Sequence, residues 1–392
     1  MKKILVLNSG SSSLKYQLFN VDGDTYEVVA KGLADRIGID GSNVVLKVGD
    51  NKQTKNVALP THTEAIKEVL DMLLSGPLGS MAELSAVGHR VVHGGEIFKG
   101  SALVNEQVLK DIEDLSELAP LHNPANLLGI KAVESLLPNV PQVVVFDTAF
   151  HQTMEKEAFL YALPEELYTK HKIRRYGFHG TSHAYVADEA AKLIGKKGKI
   201  ITCHLGNGAS ISAVNEGKCV DTSMGFTPLA GVVMGTRSGD IDPYIPLHIM
   251  KTLGKSVDEV NALMNKQSGM LGVCGFSDNR DVETNFLNGE EKATSAMKVY
   301  IHNLLKYIGG YIAVLGGVDA IVFTAGVGEN GALVRKMVIE RLAYLGIKLN
   351  EENNNKRGQT LEISTTDSKV KVFVIPTDEE LMIAKDTVAL AF

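Results

Sequence analysis

The stretch ILVLNSGSSSLKYQL, residues 4–18, decides the fold class. It reads as an apolar strand, a turn of glycine and serine, and a second strand, which together form a β-hairpin. Backbone N–H groups and serine hydroxyls in such a turn can bind an anion, most often a phosphate, and Lys15 adds a positive charge. The turn is not a P-loop, because the second glycine, the lysine and the Ser/Thr are missing in register. Taken alone, an ordinary hairpin with a polar turn is the more common explanation.

Two later stretches repeat this pattern. Residues 200–214, IITCHLGNGASISAV, again read as strand, polar turn and strand. Residues 319–331, DAIVFTAGVGENG, read as a strand, a glycine-rich turn and the start of a helix. Because the first two hairpins lie about 200 residues apart, they predict a duplicated domain.

Size and composition favour an enzyme of two domains. The 392 residues exceed the length at which a single hydrophobic core stops growing. The net charge of −6 argues against a nucleic-acid-binding surface. No apolar run reaches membrane-spanning length, and the start of the chain does not read as an export signal. The three cysteines have no metal-ligand spacing, so we expect a cytoplasmic protein without disulfides.

Local patterns predict several element boundaries. Residues 61–74 read as a helix that opens with a capping box of Thr61 and Glu64. Residues 160–176 read as a connection between the two halves, and residues 222–246 as a long loop that carries function. Thr377 and Glu380 read as a second capping box, before a C-terminal helix that packs back on another element.

Four side chains in polar motifs are candidates for chemistry. Arg90 ends an apolar strand in GHRVVHGG, and Arg237 lies in the loop MGTRSGDIDP. Two arginines suit a phosphoryl group, because the planar guanidinium binds oxyanions through two nitrogens. Asp147 ends the strand VVVFD, and His179 precedes a helix start. Structural roles remain open for each: a salt bridge, a solvated loop, an N-cap and a core or capping histidine.

Three further motifs allow alternatives. His89 and His93 face one side of a strand but are roughly 13 Å apart, too far to share a zinc ion. The sequence GVGENG, residues 326–331, fits G-x-G-x-x-G, so a dinucleotide-binding oxidoreductase is an alternative. In TDEEL, residues 377–381, the acidic residues suit the helix dipole or a magnesium ion bound through water.

Taken in order, eight motifs resemble those of the acetate kinase family. They are NSGSSSLK, GHRVVHGG, FDTAFH, YGFHGTSH, HLGNGAS, MGTRSGDIDP, FTAGVGEN and PTDEEL. The resemblance implies an α/β fold of two similar actin-like (ribonuclease H-like) domains facing a nucleotide cleft. The N-terminal domain would be 1–150, with the helix 379–392 packed back on it, and the nucleotide-binding domain 151–378. The implied activity is reversible, direct in-line phosphoryl transfer from ATP to acetate, giving acetyl phosphate and ADP. Mg²⁺ is the implied metal, with Mn²⁺ as a substitute, and the implied assembly is a homodimer.

The resemblance also implies roles for individual residues. The implied catalytic residues are Arg90, Asp147, His179 and Arg237. The implied metal anchors are Asn8 and Glu379. The implied pocket for the acyl methyl group is formed by Arg90, Val92, Leu121, Phe178 and Pro228. The implied nucleotide contacts are Lys15, Ser11, Ser13, His204, Leu205, Gly206, Asn207, Gly208, Asp278, Asn279, Arg280, Gly326, Val327, Gly328, Glu329 and Asn330.

Chemistry constrains these roles. Acetate is already ionised near pH 7, so the nucleophile needs no general base, and we expect Asp147 to orient an arginine or a metal-bound water. Propionate kinase and butyrate kinase are the nearest alternatives. An actin-like, ATP-driven binding module is a more remote one.

Overall fold

The computed structural model describes all 392 residues, in two compact units. The first unit comprises Met1–Ala149 and Asp378–Phe392, and the second comprises Phe150–Thr377. Each unit contains one mixed β-sheet with helices on its faces. No helix has both the length and the apolar character needed to cross a membrane.

The strands belong to two sheets. The strands of the first unit are β1 Lys2–Ser9, β2 Ser13–Asp22, β3 Thr25–Asp35, β4 Asn43–Val48, β5 Asn51–Asn56, β6 Leu84–Val91, β7 Ala102–Leu103 and β8 Gln142–Phe146. Those of the second unit are β9 Lys199–Leu205, β10 Ala209–Asn215, β11 Lys218–Thr222, β12 Ala320–Thr324, β13 Leu361–Glu362 and β14 Lys371–Val374.

The helices connect and cover these strands. The α-helices of the first unit are α1 His62–Leu74, α2 Glu106–Asp114, α3 Asn123–Leu136 and, at the end of the chain, α15 Glu379–Ala391. Those of the second unit are α4 Lys156–Phe159, α5 Glu165–Thr169, α6 Gly180–Ile194, α7 Tyr244–Leu253, α8 Val257–Lys266, α9 Gly269–Cys274, α10 Asn279–Leu287, α11 Glu291–Leu315, α12 Ala325–Asn330, α13 Ala332–Arg341 and α14 Glu351–Asn354. Short 3₁₀ helices cover Met81–Glu83, Leu115–Glu117, Ala149–Thr153 and Ala343–Leu345.

The two sheets share one topology. The first has the order β5-β4-β3-β2-β1-β6-β8-β7, and the second β11-β10-β9-β12-β14-β13. In each, three antiparallel strands in meander order lie next to a parallel set: β3-β2-β1 beside β6 and β8, and β11-β10-β9 beside β12 and β14. The predicted duplication is therefore confirmed. The dinucleotide-binding alternative is wrong, because the GVGENG segment follows a strand of a mixed sheet of this topology.

The C-terminal helix packs on the first sheet. Ile383 and Ala384 of α15 are buried with Ile4, Val6 and Ala86 in one apolar cluster. Gly88 of β6 permits this approach: a Cβ atom there would lie 2.2 Å from Thr387 Oγ1 and 2.7 Å from Ile383 Cγ2. This packing against β1 and β6 fixes where the first turn of α15 lies.

Several local predictions need correction. GVGENG is not an open turn, because α12 begins directly after β12 and its first residue, Ala325, has a φ of 64°. The N-cap of α15 is Asp378, whose side chain accepts from the Leu381 N–H, so Thr377 does not cap that helix. The segment 160–176 contains α5. The exposed edge strand β5 has no apolar residue and gave no signal in the sequence.

Candidate active site

The first unit places a half-buried arginine between two carboxylates. Arg90 lies near the C-terminal end of β6, and Asp147 directly follows β8, its parallel neighbour. Arg90 Nη2 lies 3.0 Å from Asp147 Oδ2, and Arg90 Nε lies 3.8 Å from Glu379 Oε2. Glu379 is the first residue of α15. We call these three residues the Arg90 cluster.

The Arg90 cluster carries more acid than base. The side chain of Asp147 is 2% exposed and that of Glu379 is 23% exposed. Burial raises the pKa of Glu379 to about 7, and Asp147 and Glu380 add to this rise, whereas Arg90 and Lys15 oppose it. Such an excess of carboxylate oxygen over positive charge is typical of a site that receives a hard cation.

The polar hairpin of the sequence lies in the same unit. Asn8 of β1 and Lys15 of β2 are cross-strand partners. The Gly10 N–H donates to the Ser13 carbonyl over 2.7 Å, which closes the turn around Ser11. Lys15 is exposed and forms no ion pair, so its charge is available to a ligand.

Two buried asparagines fix the backbone around these groups, and sequence reasoning missed both. Asn126 Nδ2 donates to the Ser9 carbonyl over 2.6 Å, and Asn126 Oδ1 accepts from the Val92 N–H over 3.1 Å. Asn123 exchanges two hydrogen bonds with the His93 backbone, at 3.1 and 3.0 Å. The available signal was the pair of asparagines three residues apart in the mainly apolar first half of α3, since buried amides need partners.

The second unit gathers four histidines around β9 and β10. We call His151, His179, His183 and His204 the histidine cluster. The rings of His179 and His204 stack with centroids 4.1 Å apart, and His151 meets His183 edge-on at 5.6 Å. His179 is the N-cap of α6, with φ 58° and ψ 26°. A non-glycine residue held in this region stores strain, which is common at functional sites.

Arg237 and His179 face the same turn. A Cβ atom on Gly208 would lie 3.4 Å from Arg237 Nη1 and 3.6 Å from His179 Nε2. Arg237 donates to the Pro228 carbonyl over 3.1 Å and forms no ion pair with a carboxylate. Burial lowers the pKa of Arg237. A half-buried cation without a counterion next to a histidine can bind an anion over the β9–β10 turn.

A cavity of about 870 Å³ in the second unit collects three of the predicted nucleotide segments. Its predicted lining residues are Gly206, Asn207, Asp278, Asn279, Arg280, Gly326, Val327 and Asn330. Lining residues that the sequence reasoning missed include Gly235, Glu283, Thr284, Leu287, Tyr300 and Arg357. The volume lies within the usual range for small-molecule sites.

Some predicted nucleotide contacts lie outside this lining. Glu329 Oε1 accepts from the N–H groups of Ala325 and Thr377, at 2.9 and 3.2 Å. Glu329 therefore stabilises the local backbone. Leu205 is fully buried. Gly328 is buried too, and a Cβ there would lie 3.3 Å from the Phe323 carbonyl carbon. His204, a member of the histidine cluster, forms a hydrogen bond of 2.8 Å between its Nδ1 and Ser182 Oγ.

The predicted acyl-pocket residues are divided between the units. Val92 and Leu121 belong to the first unit, where Val92 is 8% exposed and Leu121 is 76% exposed. Phe178 and Pro228 belong to the second, where Phe178 is 4% exposed. Val92 directly follows β6, the strand that carries Arg90.

Known proteins share both the sequence and the fold. The model of the acetokinase family matches residues 3–385. The chain belongs to the acetokinase family. It is 58% identical to an acetate kinase of Thermotoga petrophila over 395 aligned positions, which cover 98% of both proteins. An acetate kinase crystal structure from Porphyromonas gingivalis, 45% identical, covers 100% of both chains with a TM-score of 0.96.

The family also bears on the substrate. A propionate kinase crystal structure from Francisella tularensis subsp. tularensis is 44% identical and covers 100% of both chains, with a TM-score of 0.93. The higher identity to curated acetate kinases favours acetate over propionate. The chain is a phosphotransferase, and ATP is the phosphoryl donor of its family.

Proposed function

We propose that this enzyme catalyses reversible, magnesium-dependent transfer of the γ-phosphoryl group of ATP directly to acetate, giving acetyl phosphate and ADP. The observation that carries the proposal is the pair of half-buried arginines, one in each unit: Arg90 held at 3.0 Å by Asp147, and Arg237 without a carboxylate partner. Both positions suit anion binding. Neither arginine lies on an exposed surface, so surface charge does not explain its presence.

The chemical task is to overcome electrostatic repulsion. An acetate ion and the γ-phosphate repel each other, whereas proton removal from acetate is unnecessary near pH 7. Guanidinium groups and a neutral N–H donor counter this repulsion and stabilise the charge of the transferring group. We assign these roles to Arg90, Arg237 and His179.

Asp147 then acts as a positioning residue. Its carboxylate is buried and lies 3.0 Å from Arg90 Nη2. This bond fixes the orientation of the guanidinium relative to the strand ends, which supports an orienting role for Asp147. Because acetate is already ionised, Asp147 is not needed to abstract a proton from it.

The donor set of the first unit fits Mg²⁺. This cation prefers oxygen ligands and usually keeps several waters beside one or two carboxylates. The Glu379 carboxylate and the Asn8 amide oxygen are of the required type, and the pKa of Glu379 is raised mainly by burial, with Asp147 and Glu380 adding to the rise. When bound, the metal would neutralise charge on the phosphates of ATP. Mn²⁺ has the same ligand preference and would substitute.

We assign the cavity of the second unit to the adenosine of ATP, with the turns at Gly206 and Gly326 nearest its phosphates. The N–H groups of such turns suit oxyanions. We also assign phosphate contacts to Ser11, Ser13 and Lys15 of the first hairpin.

We further propose that the enzyme is a homodimer built on α7. No residue of α7 is buried, and it exposes Tyr244, Leu247 and Leu253 at 59%, 54% and 68%. Val257, at the start of α8, is 71% exposed. An apolar surface of this kind is typical of a protein interface, and a second copy of the chain would bury it.

The cytoplasm is the proposed location. All three cysteines are unpaired and buried, which suits a reducing compartment.

The proposal is tested by an acyl phosphate assay with Mg-ATP and acetate, propionate or butyrate in parallel. We expect acid-dependent ADP formation, with the highest kcat/KM for acetate. ADP formation that needs no acid, or no acyl phosphate with any of the three, would reject the proposal. A preference for propionate would leave the kinase chemistry intact and reassign the substrate.

A further inference from the structure

Three buried side chains form one continuous hydrogen-bonded chain that ends at His179. Thr202 Oγ1 lies 2.7 Å from His183 Nδ1, and His183 Nε2 lies 2.7 Å from Ser210 Oγ. Ser210 Oγ in turn lies 2.8 Å from His179 Nδ1. Thr202, His183 and Ser210 are each 0% exposed, so no water serves as an alternative partner.

The number of protons on these side chains determines which group donates in each hydrogen bond of the chain. Burial lowers the pKa of His183 well below its ordinary value, so the ring is neutral and carries one N–H. The only hydrogen bond of Thr202 Oγ1 is the one to His183 Nδ1. If that oxygen accepted there, its own proton would be buried without an acceptor, which is unfavourable.

Thr202 therefore donates to His183 Nδ1, and His183 donates from Nε2 to Ser210 Oγ. Ser210 has a single proton, and its two partners are ring nitrogens. Since it accepts from His183, it donates to His179 Nδ1. His179 Nδ1 is then an acceptor, and the proton of the neutral ring lies on Nε2, the atom that faces Gly208 beside Arg237.

We propose that Ser210 is a positioning residue that holds His179 in the Nε2–H tautomer, with Thr202 and His183 fixing the direction of its hydroxyl. His179 then presents an N–H to the anion over the β9–β10 turn. The opposite tautomer would present a lone pair, which an anionic phosphoryl group repels. This inference rests on the proposed function for the identity of the anion only, because the tautomer is a property of the protein alone.

The experiment compares Ser210→Ala and Thr202→Val with wild type, using histidine-selective ¹⁵N labelling. His179 resonances are assigned by their loss in His179→Gln. Ser212→Ala is the matched control, because Ser212 is a buried serine of the same strand whose hydroxyl bonds Thr222 Oγ1 over 2.8 Å, outside the chain. The ¹⁵N shifts report which nitrogen carries the proton, independently of turnover.

We expect wild type and Ser212→Ala to show His179 protonated at Nε2. Ser210→Ala should show mixed tautomers and a kcat lower by about 10-fold. The KM for acetate should stay within about twofold, because the N–H of His179 stabilises mainly the charge that develops in the transition state. Thr202→Val should show the same tautomer change without touching His179. It also keeps the test valid if Ser210→Ala does not fold.

Protonation at Nδ1 in wild type, or an unchanged tautomer in both variants, would overturn the inference. An unchanged kcat despite mixed tautomers would also overturn the positioning role. A wild type that makes no acetyl phosphate yet shows the Nε2–H tautomer would instead reject the proposed function, so the two failures are distinguishable.

Discussion

The two arginines differ in how the fold holds them, and this difference separates their effects on activity and stability. Arg90 neutralises Asp147, which is 2% exposed, whereas Arg237 has no carboxylate partner. Removing Arg90 leaves a buried carboxylate without its counterion, which is strongly destabilising. Removing Arg237 breaks no ion pair and removes the cost of desolvating a cation.

We therefore expect Arg90→Ala and Arg237→Ala each to lower kcat by roughly 10²-fold or more. Arg90→Ala should also lower Tm, whereas Arg237→Ala should leave Tm nearly unchanged. Arg341→Ala, at an exposed position at the end of α13, is the control and should change neither. Steady-state kinetics and thermal melts measure both effects, and near-normal turnover in either variant would make that arginine purely structural.

The titration of Glu379 predicts how the stability of the protein depends on pH. Its pKa of about 7 lies above the ordinary 4.5, so the protonated carboxyl contributes stability that is complete below 4.5 and lost as the pH rises through 7. In metal-free protein, Glu379→Gln should therefore gain stability relative to wild type between pH 5 and pH 8. Thermal melts across this range measure the difference.

The same titration should control the metal requirement. Because the carboxylate must be ionised to bind a cation, the Mg²⁺ concentration for half-maximal rate should rise by about 10-fold per pH unit below 7 in wild type. Glu379→Gln should need more Mg²⁺ at pH 8 and lose this pH dependence. Glu64→Gln, which removes a first-turn carboxylate from α1, is the matched control. If Glu379→Gln changes only Tm, Glu379 serves the helix and no metal.

At the scale of elements, Gly88 connects α15 to the Arg90 cluster. Gly88→Ala places a Cβ 2.2 Å from Thr387 Oγ1, so α15 must move away from β6. Overpacking of this kind costs about 1–3 kcal/mol. We expect a lower Tm and, because Glu379 begins α15, a higher Mg²⁺ requirement.

Gly100→Ala is the control for this variant, since a Cβ there meets nothing within 4 Å. A Gly88→Ala protein with wild-type Tm and wild-type Mg²⁺ dependence would show that α15 tolerates displacement and does not position the cluster.

The sequence predicts these elements unevenly, for physical reasons. The two hairpins and the duplicated order of strands are readable because apolar strands and polar turns are local patterns. The helical start at Ala325 is not, because it depends on Glu329 Oε1 accepting the Ala325 N–H and on a φ of 64°. The edge strand β5 is fully exposed, so it has no apolar alternation to reveal it.

The candidate site shows the same division. Arg90, Asp147 and Arg237 stand out because charged residues at the ends of apolar strands or in glycine-rich loops are unusual. Asn126 and Ser210 do not, because their importance lies in tertiary partners: Asn126 bonds the carbonyl of Ser9, 117 positions away. A neutral polar residue in a buried helix or strand indicates that a partner exists and does not identify it.

At the scale of the whole molecule, the proposed dimer makes a prediction of its own. Leu247 is 54% exposed on α7, and a charge there would be buried unpaired in the interface. Leu247→Glu should therefore sediment as a single chain where wild type sediments as two. Leu193→Glu, at a 51% exposed leucine of α6 in the same unit, is the control. A monomeric wild type, or a dimeric Leu247→Glu, would contradict an interface on α7.

Direct phosphoryl transfer between two bound substrates is the central claim, and a single-turnover experiment tests it most directly. Excess enzyme is mixed with Mg-ATP labelled in the γ-phosphoryl group, with and without acetate, and quenched at intervals. The account predicts label passing from ATP to acetyl phosphate in one phase, with no labelled protein and no ADP formed without acetate. Labelled protein, or ADP released before acetate is added, would contradict it.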